Sequence, residues 1–185
     1  MTPKRREILR TGLALAGAAA FAPAVPAWAL AEEPDVRRVS FLNVHTGEAS
    51  PQISYWENGD YVPDALAAVN HSLRDWRNNQ VHVIEPHLLD LLTALQGALG
   101  TDERIQVISG YRSPETNAML HARSDQVSAT SLHMQGQAID IHLPGVELTR
   151  LRDAAQSLAL GGVGFYPVSN FVHVDIGPVQ TWVGT

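Results

Sequence analysis

Residues 131–140 read Ser-Leu-His-Met-Gln-Gly-Gln-Ala-Ile-Asp, which places His133 and Asp140 seven positions apart with Gly136 between them. A second imidazole follows in residues 171–175, Phe-Val-His-Val-Asp, as His173. Two imidazoles and one carboxylate form the ligand set of an open catalytic zinc site, whose fourth position is left for water. If the three side chains meet in space, these two stretches predict a zinc-dependent hydrolase.

The segment that carries His133 and Asp140 must fold back for both side chains to reach one ion. In a straight strand they would lie about 20 Å apart, because each residue advances about 3.3 Å. Gly136 is a position at which the chain can turn. If a strand at 137–143 pairs with a strand at 171–176, Asp140 and His173 can lie opposite each other at about 5 Å between Cβ atoms.

The flanking sequence predicts helices first and a small sheet afterwards. Asn58-Gly59 indicates a tight turn inside a hairpin at 50–63. Pro63 begins a predicted helix that ends near Asn78-Asn79, and Pro86 begins a second one with Gly100 as its C-cap. Further strands are predicted at 104–109 and 163–166, and further helices at 113–120 and 146–158. This order predicts an α+β fold in which a small, mostly antiparallel sheet carries the metal site and is flanked by helices.

The first 31 residues have the character of a signal peptide, which leaves 32–185 as a single domain. A basic segment at 4–10 precedes a short run rich in Ala and Gly at 11–22, and small-residue cleavage sites follow at 27–31. Arg5-Arg6 followed by Ile-Leu resembles a twin-arginine signal, which exports folded proteins. We expect export to the periplasm or cell envelope, with an uncleaved N-terminal anchor as the alternative.

Composition and charge narrow the classes of partner. The chain has 185 residues, of which 45% are apolar, enough for one domain with a buried core. Loss of residues 1–31 removes four cations and one anion, which changes the net charge from −6 to −9. An acidic domain argues against nucleic acid as a partner. There are no cysteines, so an exported domain depends on its core and on a metal. No obligatory protein partner is indicated, and the oligomeric state stays open.

Three motifs in this order resemble the zinc D-Ala-D-Ala peptidase, lysostaphin-type and hedgehog-like superfamily. Its Ser-x-His-x-x-Gly-x-Ala-x-Asp signature is similar to residues 131–140, and its Gly-Tyr-Arg-Ser element is similar to residues 110–113. Residues 171–178, Phe-Val-His-Val-Asp-Ile-Gly-Pro, together with Trp182 resemble a former domain of unknown function now classed with the M15 murein peptidases. The resemblance spans roughly 39 to 182.

This resemblance implies a function and roles for particular residues. It implies that His133, Asp140 and His173 bind Zn²⁺, and that Arg112 holds a carbonyl or carboxylate of the substrate. Ion pairing of Arg112 with Glu115 is the structural alternative. Two further residues near the metal, Ser131 and Gln135, are candidates to donate hydrogen bonds to the substrate, with a role as polar loop residues as the alternative. The implied activity is hydrolysis of peptide cross-links in peptidoglycan, whose stem peptides are the partner, with the stereochemistry of the cleaved bond left open.

The sequence departs from the family at the proton shuttle. Some relatives carry Glu three residues before the last zinc ligand and others carry His two residues before it, whereas this chain has Asn170 and Phe171. Amide hydrolysis needs a group that moves a proton to the leaving amine. Asp175 is the first candidate, with support of His173 as its alternative role, and His142 is the second. The missing shuttle also leaves open a non-catalytic cell-wall binding or regulatory module that retains the zinc site.

Overall fold

A computed structural model of the chain describes residues 36–124 and 127–185. The predicted signal peptide at 1–31 and its boundary with the domain lie outside the described residues. Within the described ranges, no helix combines the length and the apolar character that a membrane span requires.

The described residues form nine strands, four α-helices and one 3-10 turn. The strands are β1 (Val36–Val39), β2 (Phe41–Asn43), β3 (Ile53–Glu57), β4 (Asp60–Tyr61), β5 (Ile105–Ser109), β6 (Ala138–His142), β7 (Gly162–Tyr166), β8 (Phe171–Asp175) and β9 (Gln180–Val183). The helices are α1 (Pro63–Ser72), α2 (Pro86–Leu99), α3 (Pro114–His121) and α4 (Leu148–Leu158), and the 3-10 turn spans Leu132–Gln135. The predicted α+β class is confirmed; strand β9 was not predicted.

A six-stranded sheet in the order β2-β5-β6-β8-β7-β9 forms the centre of the domain. The pairs β2–β5 and β7–β9 are parallel, and the three pairs between them are antiparallel. The condition stated for the two motif strands is met: β6 pairs with β8, and Asp140 lies opposite His173. A second sheet, β1-β3-β4, contains the predicted hairpin with its turn at Asn58-Gly59.

The two faces of the central sheet differ in chemistry. Ile139 and Ile141 of β6 and Val172 and Val174 of β8 belong to one buried apolar cluster with residues of α2 and α4. Because strand side chains alternate between faces, the same two strands present Asp140, His173 and Asp175 on the other face. The apolar face thus forms the core, and the polar face is available for a site.

The helix boundaries follow from local sequence, with one exception. Helix α2 begins with Pro86 in its first turn and ends at Gly100, whose φ of +65° is the left-handed C-cap conformation expected there. The prediction that α1 extends to Asn78-Asn79 is wrong, because α1 ends at Ser72. A longer helix would need the Leu73 carbonyl to accept the Arg77 amide. That carbonyl accepts the Tyr111 N–H at 2.7 Å instead, so a tertiary contact stops the helix.

Replacing Leu92 with Ala should lower the free energy of unfolding by about 2–5 kcal/mol, because the fully buried side chain would leave a cavity in the core. Urea unfolding followed by circular dichroism measures the change. Leu160→Ala is the matched control, since Leu160 is 47% exposed and should change stability by less than about 0.5 kcal/mol. Equal losses in the two variants would contradict the position of α2 in the core.

Candidate active site

The chain turns back between His133 and Asp140 at the predicted glycine. Ser131 accepts the His133 amide with its hydroxyl oxygen at 3.4 Å and so caps the 3-10 turn Leu132–Gln135. Gly136 follows with φ of +67°, and a Cβ there would collide with the carbonyl of Val83. Only glycine meets both demands without strain. The reversal brings His133 beside the strand that carries Asp140.

Three side chains converge on the polar face of the sheet. Asp140 Oδ1 lies 2.8 Å from His173 Nδ1 and 3.3 Å from His133 Nε2, and the two imidazole nitrogens lie 3.2 Å apart. Each residue offers one possible metal-ligand atom, and these three atoms all lie within 4.8 Å of one another, so together they could hold a metal ion. All three residues are at least nine-tenths buried. The geometry therefore brings together the three residues that the sequence nominated as ligands.

The outer nitrogen of each imidazole is held by an acceptor. His133 Nδ1 donates to the carbonyl oxygen of Gly110 at 2.8 Å, and His173 Nε2 donates to Asp175 Oδ2 at 3.1 Å. In a neutral imidazole the other nitrogen then carries a lone pair. Both lone pairs point toward the carboxylate oxygen of Asp140, so three acceptors face one point. Such a set is stabilised by a cation placed between the three atoms.

Burial and charge determine the protonation of this group. Burial lowers the pKa of His133, and it would lower that of His173 as well. Hydrogen bonds that His173 donates to Asp140 and then to Asp175 outweigh burial and raise the pKa of His173 to about 9. Burial would raise the pKa of Asp140, but the charge and hydrogen bond of His133, followed by those of His173, hold it well below its usual range. A proton on His173 Nδ1 therefore competes with a metal ion for the same atom.

Asp175 is fixed by three hydrogen bonds. Its Oδ2 accepts from His173, and its Oδ1 accepts the amides of Gly162 at 3.0 Å and Gly177 at 2.7 Å. Burial would raise the pKa of Asp175, but the hydrogen bonds from His173, Gly162 and Gly177 outweigh it and keep the pKa below its ordinary value. The carboxylate fits against β7 because residue 162 is glycine: a Cβ there would lie 2.9 Å from the Asp175 carboxyl carbon.

Arg112 approaches Asp140 from the other side of the group. Its Nη2 lies 3.5 Å from Asp140 Oδ2, and its Nη1 donates to Asn117 Oδ1 at 3.2 Å. The residue is 8% exposed, and its buried Nε has no hydrogen-bond partner among the described residues. The alternative ion pair with Glu115 is not found in the described part of the chain. Arg112 thus brings positive charge to the site.

The loop that carries Arg112 is held by Asp75, a residue that the sequence did not nominate. Asp75 is 1% exposed, and its carboxylate accepts the amides of Ser113 at 3.0 Å and Arg77 at 3.1 Å. Ser113 in turn caps α3 by accepting the Thr116 amide at 3.1 Å. No spacing rule connects residue 75 with residue 112, so only the tertiary structure reveals this support.

The converging residues lie in a cleft of about 690 Å³. One side carries hydroxyl side chains from the segment before β6: Ser124, Ser128, Thr130 and Ser131. The side formed by β7 to β9 carries the aromatic rings of Tyr166, Phe171 and Trp182. Among the other predicted site residues, Asp175 lines the cleft, whereas the exposed Gln135 and the half-buried His142 do not.

Asn170 and Phe171, the residues at the two positions expected for a proton-transfer group, each have a clear place in the structure. Asn170 lies in the turn between β7 and β8 with φ of +56°, a left-handed conformation that Asn tolerates. The ring of Phe171 stacks on Tyr166 with centroids 4.4 Å apart. Neither side chain offers a proton-transfer group.

Comparison with known proteins gives matches over most of the chain. The model of the family Peptidase_M15_2, described as peptidoglycan L,D-endopeptidase MepK, matches residues 31–182. An Escherichia coli K12 protein named peptidoglycan L,D-endopeptidase MepK is 45% identical over 178 residues, 96% of each chain. A Haemophilus influenzae protein named probable peptidoglycan L,D-endopeptidase MepK is 42% identical over 158 residues, 84% of each chain. No solved structure gives a significant match.

Replacing Gly162 with Ala should lower the free energy of unfolding by about 1–3 kcal/mol, because the new methyl group overlaps the Asp175 carboxylate. Thermal or urea unfolding measures the loss. Gly97→Ala in α2 is the matched control: nothing lies within 4 Å of its Cβ position, so helix propensity should raise stability by about 0.5–1 kcal/mol. A neutral or stabilising effect at position 162 would contradict the close packing of Asp175 on β7.

Proposed function

This chain belongs to the Peptidase_M15_2 family of peptidoglycan L,D-endopeptidases, and from that premise we propose that it is a zinc-dependent enzyme that hydrolyses peptide cross-links of the cell wall. One observation carries the zinc assignment: the buried acceptor atoms of His133, Asp140 and His173 face one another within 3.3 Å. With both imidazoles neutral, three acceptors at this separation are stabilised by a cation between them, in competition with a proton on His173 Nδ1.

The donor set fits zinc and an open site. Two imidazole nitrogens and one carboxylate oxygen match the ligands of catalytic zinc, which keeps a position free for water or substrate. When bound, zinc polarises a carbonyl group and lowers the pKa of a coordinated water to about 7. The outer hydrogen bonds to Gly110 and Asp175 hold both imidazoles in the tautomer that a metal requires.

Family membership supports peptidoglycan as the substrate. The relatives from Escherichia coli and Haemophilus influenzae both carry the term L,D-endopeptidase in their names. We extend that term to this chain and propose that the cleaved bond joins an L-centre to a D-centre of cross-linked stem peptides. A cell-wall substrate also supports export to the periplasm or envelope, with 1–31 as the signal, twin-arginine in type, and 32–185 as the exported zinc peptidase domain.

Different residues of the cleft contact different parts of the scissile peptide. Arg112 lines the cleft, and its positive charge can stabilise negative charge that develops on the scissile carbonyl oxygen. The Ser131 hydroxyl accepts the His133 amide with its oxygen, which leaves its hydrogen for a substrate acceptor. The position of Gln135 outside the cleft gives no support to a substrate contact.

The contacts of Asp175 support a positioning role. Three donors already occupy its carboxylate, and its bond to His173 Nε2 fixes the ring orientation. Proton transfer by Asp175 would require it to leave these partners. His142, the second candidate for proton transfer, has a buried Nδ1 without a described partner but does not line the cleft. We therefore propose that Asp175 acts through His173 on metal binding.

A non-catalytic cell-wall module with a retained zinc site is the second candidate function. The observation in its favour is that Asn170 and Phe171 replace the two family shuttle positions with a turn residue and a stacked ring. Incubation of the zinc-loaded protein with cross-linked muropeptides separates the two functions. Release of monomers that chelator prevents supports the enzyme, whereas binding without release supports the module.

Replacing His133 with Ala should abolish zinc binding and cross-link cleavage together, because it removes one of three ligands. Metal analysis of the purified variant and chromatography of a muropeptide digest measure the two properties. His87→Ala is the matched control, since the His87 side chain is 72% exposed and should leave both properties unchanged. Retained hydrolysis in His133→Ala would refute the assignment.

Replacing Asp175 with Ala should weaken zinc binding about 10- to 100-fold, because His173 loses the partner that orients it. Competition with a chromophoric chelator measures the affinity. Asp153→Ala, whose side chain is 62% exposed, serves as the control. Unchanged zinc affinity combined with a large loss of kcat would instead indicate that Asp175 transfers protons.

A further inference from the structure

The aromatic side of the cleft is a rigid unit built around Trp182. The indole Nε1–H donates to the hydroxyl oxygen of Tyr166 at 2.9 Å. Tyr166 stacks on Phe171 at 17° between ring planes, and the Trp182 ring lies 5.2 Å from the ring of His173. One hydrogen bond and two ring contacts therefore fix Tyr166 and Trp182 beside a proposed zinc ligand.

Gly164 makes this arrangement possible. It pairs with His173 across β7–β8 and with Trp182 across β7–β9, so all three residues share one face of the sheet. A Cβ on residue 164 would lie 2.6 Å from indole atoms of Trp182. The indole can cover β7 only because this position has no side chain. The glycine thus sets the position of Trp182 and, through the hydrogen bond, that of the Tyr166 hydroxyl.

The hydroxyl of Tyr166 has one unused donor. Its oxygen accepts from Trp182, so its own hydrogen is directed elsewhere, and no protein acceptor for it occurs within residues 36–124 and 127–185. Tyr166 lines the cleft. A phenol hydroxyl is a neutral donor that suits carbonyl and carboxylate oxygens. The stacked rings around it are apolar and suit aliphatic parts of a ligand.

Tyr166 and Arg112 reach the cleft from opposite sides of the converging ligands. Arg112 follows β5, which pairs with β6 on the side away from β8, whereas Tyr166 lies on β7, which pairs with β8 on the side away from β6. Asp140 and His173 lie between them on β6 and β8. A peptide bound across these ligands would meet one charged donor at one end and one neutral donor at the other.

We propose that Tyr166 contacts the substrate, donating its hydroxyl hydrogen to a carbonyl or carboxylate oxygen of the stem peptide, and that Trp182 over Gly164 is the positioning residue that aims it. The inference rests on the proposed function, because the stem peptide is the substrate proposed for this chain from its family membership. It adds a neutral oxygen-binding subsite, walled by aromatic rings, on the β7–β9 side of the cleft.

Replacing Tyr166 with Phe should raise KM for a cross-linked muropeptide dimer about 3- to 10-fold with kcat nearly unchanged, because one neutral hydrogen bond is lost from the bound substrate. Calorimetry of a monomeric tetrapeptide muropeptide should show the same fold increase in Kd, with or without zinc. Tyr61→Phe is the matched control, since its hydroxyl donates to Asp90 outside the cleft. Unchanged KM and Kd in Tyr166→Phe would overturn the inference.

Two further variants test the positioning by Trp182. Trp182→Phe removes the indole donor and should raise the Kd for the tetrapeptide muropeptide when it is made alone. The increase should be smaller when Trp182→Phe is added to Tyr166→Phe, because both changes act on one hydroxyl. Gly164→Ala should reproduce the effect of Trp182→Phe by displacing the indole. Additive effects of the two ring variants would show that Trp182 does not act through Tyr166.

The outcomes separate this inference from the proposed function. Zinc-dependent cleavage by the unmodified protein together with an unaffected Tyr166→Phe variant rejects the subsite and retains the enzyme. Absence of cleavage together with weakened muropeptide binding in Tyr166→Phe rejects the enzyme and retains the subsite. If the unmodified protein neither binds nor cleaves muropeptides, both are rejected.

Discussion

The antiparallel pairing of β6 with β8 is the constraint on which the site depends. It places Asp140 directly opposite His173, and strand alternation then commits Ile139, Val172 and their neighbours to the apolar core on the other face. A shift of the register by one residue would turn the polar residues into the core and the apolar residues into the cleft. The same burial that stabilises the domain therefore holds Asp140 and His173 in place, so the fold and the geometry of the proposed site depend on one another.

The domain tolerates the buried polar side chains of the site because almost all of their polar atoms have hydrogen-bond partners. His133 donates to a backbone carbonyl, and Asp175 accepts two backbone amides. The Asp75 carboxylate accepts a backbone amide of the loop that carries Arg112. The described exceptions near the site are Arg112 Nε and His142 Nδ1. An unsatisfied buried polar atom lowers stability, so these two atoms are the described cost of burying the polar groups of the site.

Glycines on β7 provide a second organising feature. Gly162 gives the Asp175 carboxylate access to a backbone amide, and Gly164 gives the Trp182 ring a flat surface beside His173. Without side chains at these two positions, β7 packs against Asp175 and Trp182 and shapes the aromatic side of the cleft. A short strand thus contributes to both the proposed metal site and the proposed substrate subsite, although neither glycine has a functional group of its own.

The sequence by itself determined the α+β class, the turn at Gly136 and the identity of the three converging residues, but left the pairing of the two motif strands as a condition. These depend on local rules, namely strand alternation, glycine freedom and a ligand motif confined to a few residues. Only the tertiary structure decided that α1 stops at Ser72, that β9 extends the sheet, that Asp75 supports Arg112 and that Trp182 lies over Gly164. Each of these is a contact between segments distant in sequence, and no periodicity or spacing along the chain encodes which distant groups will meet.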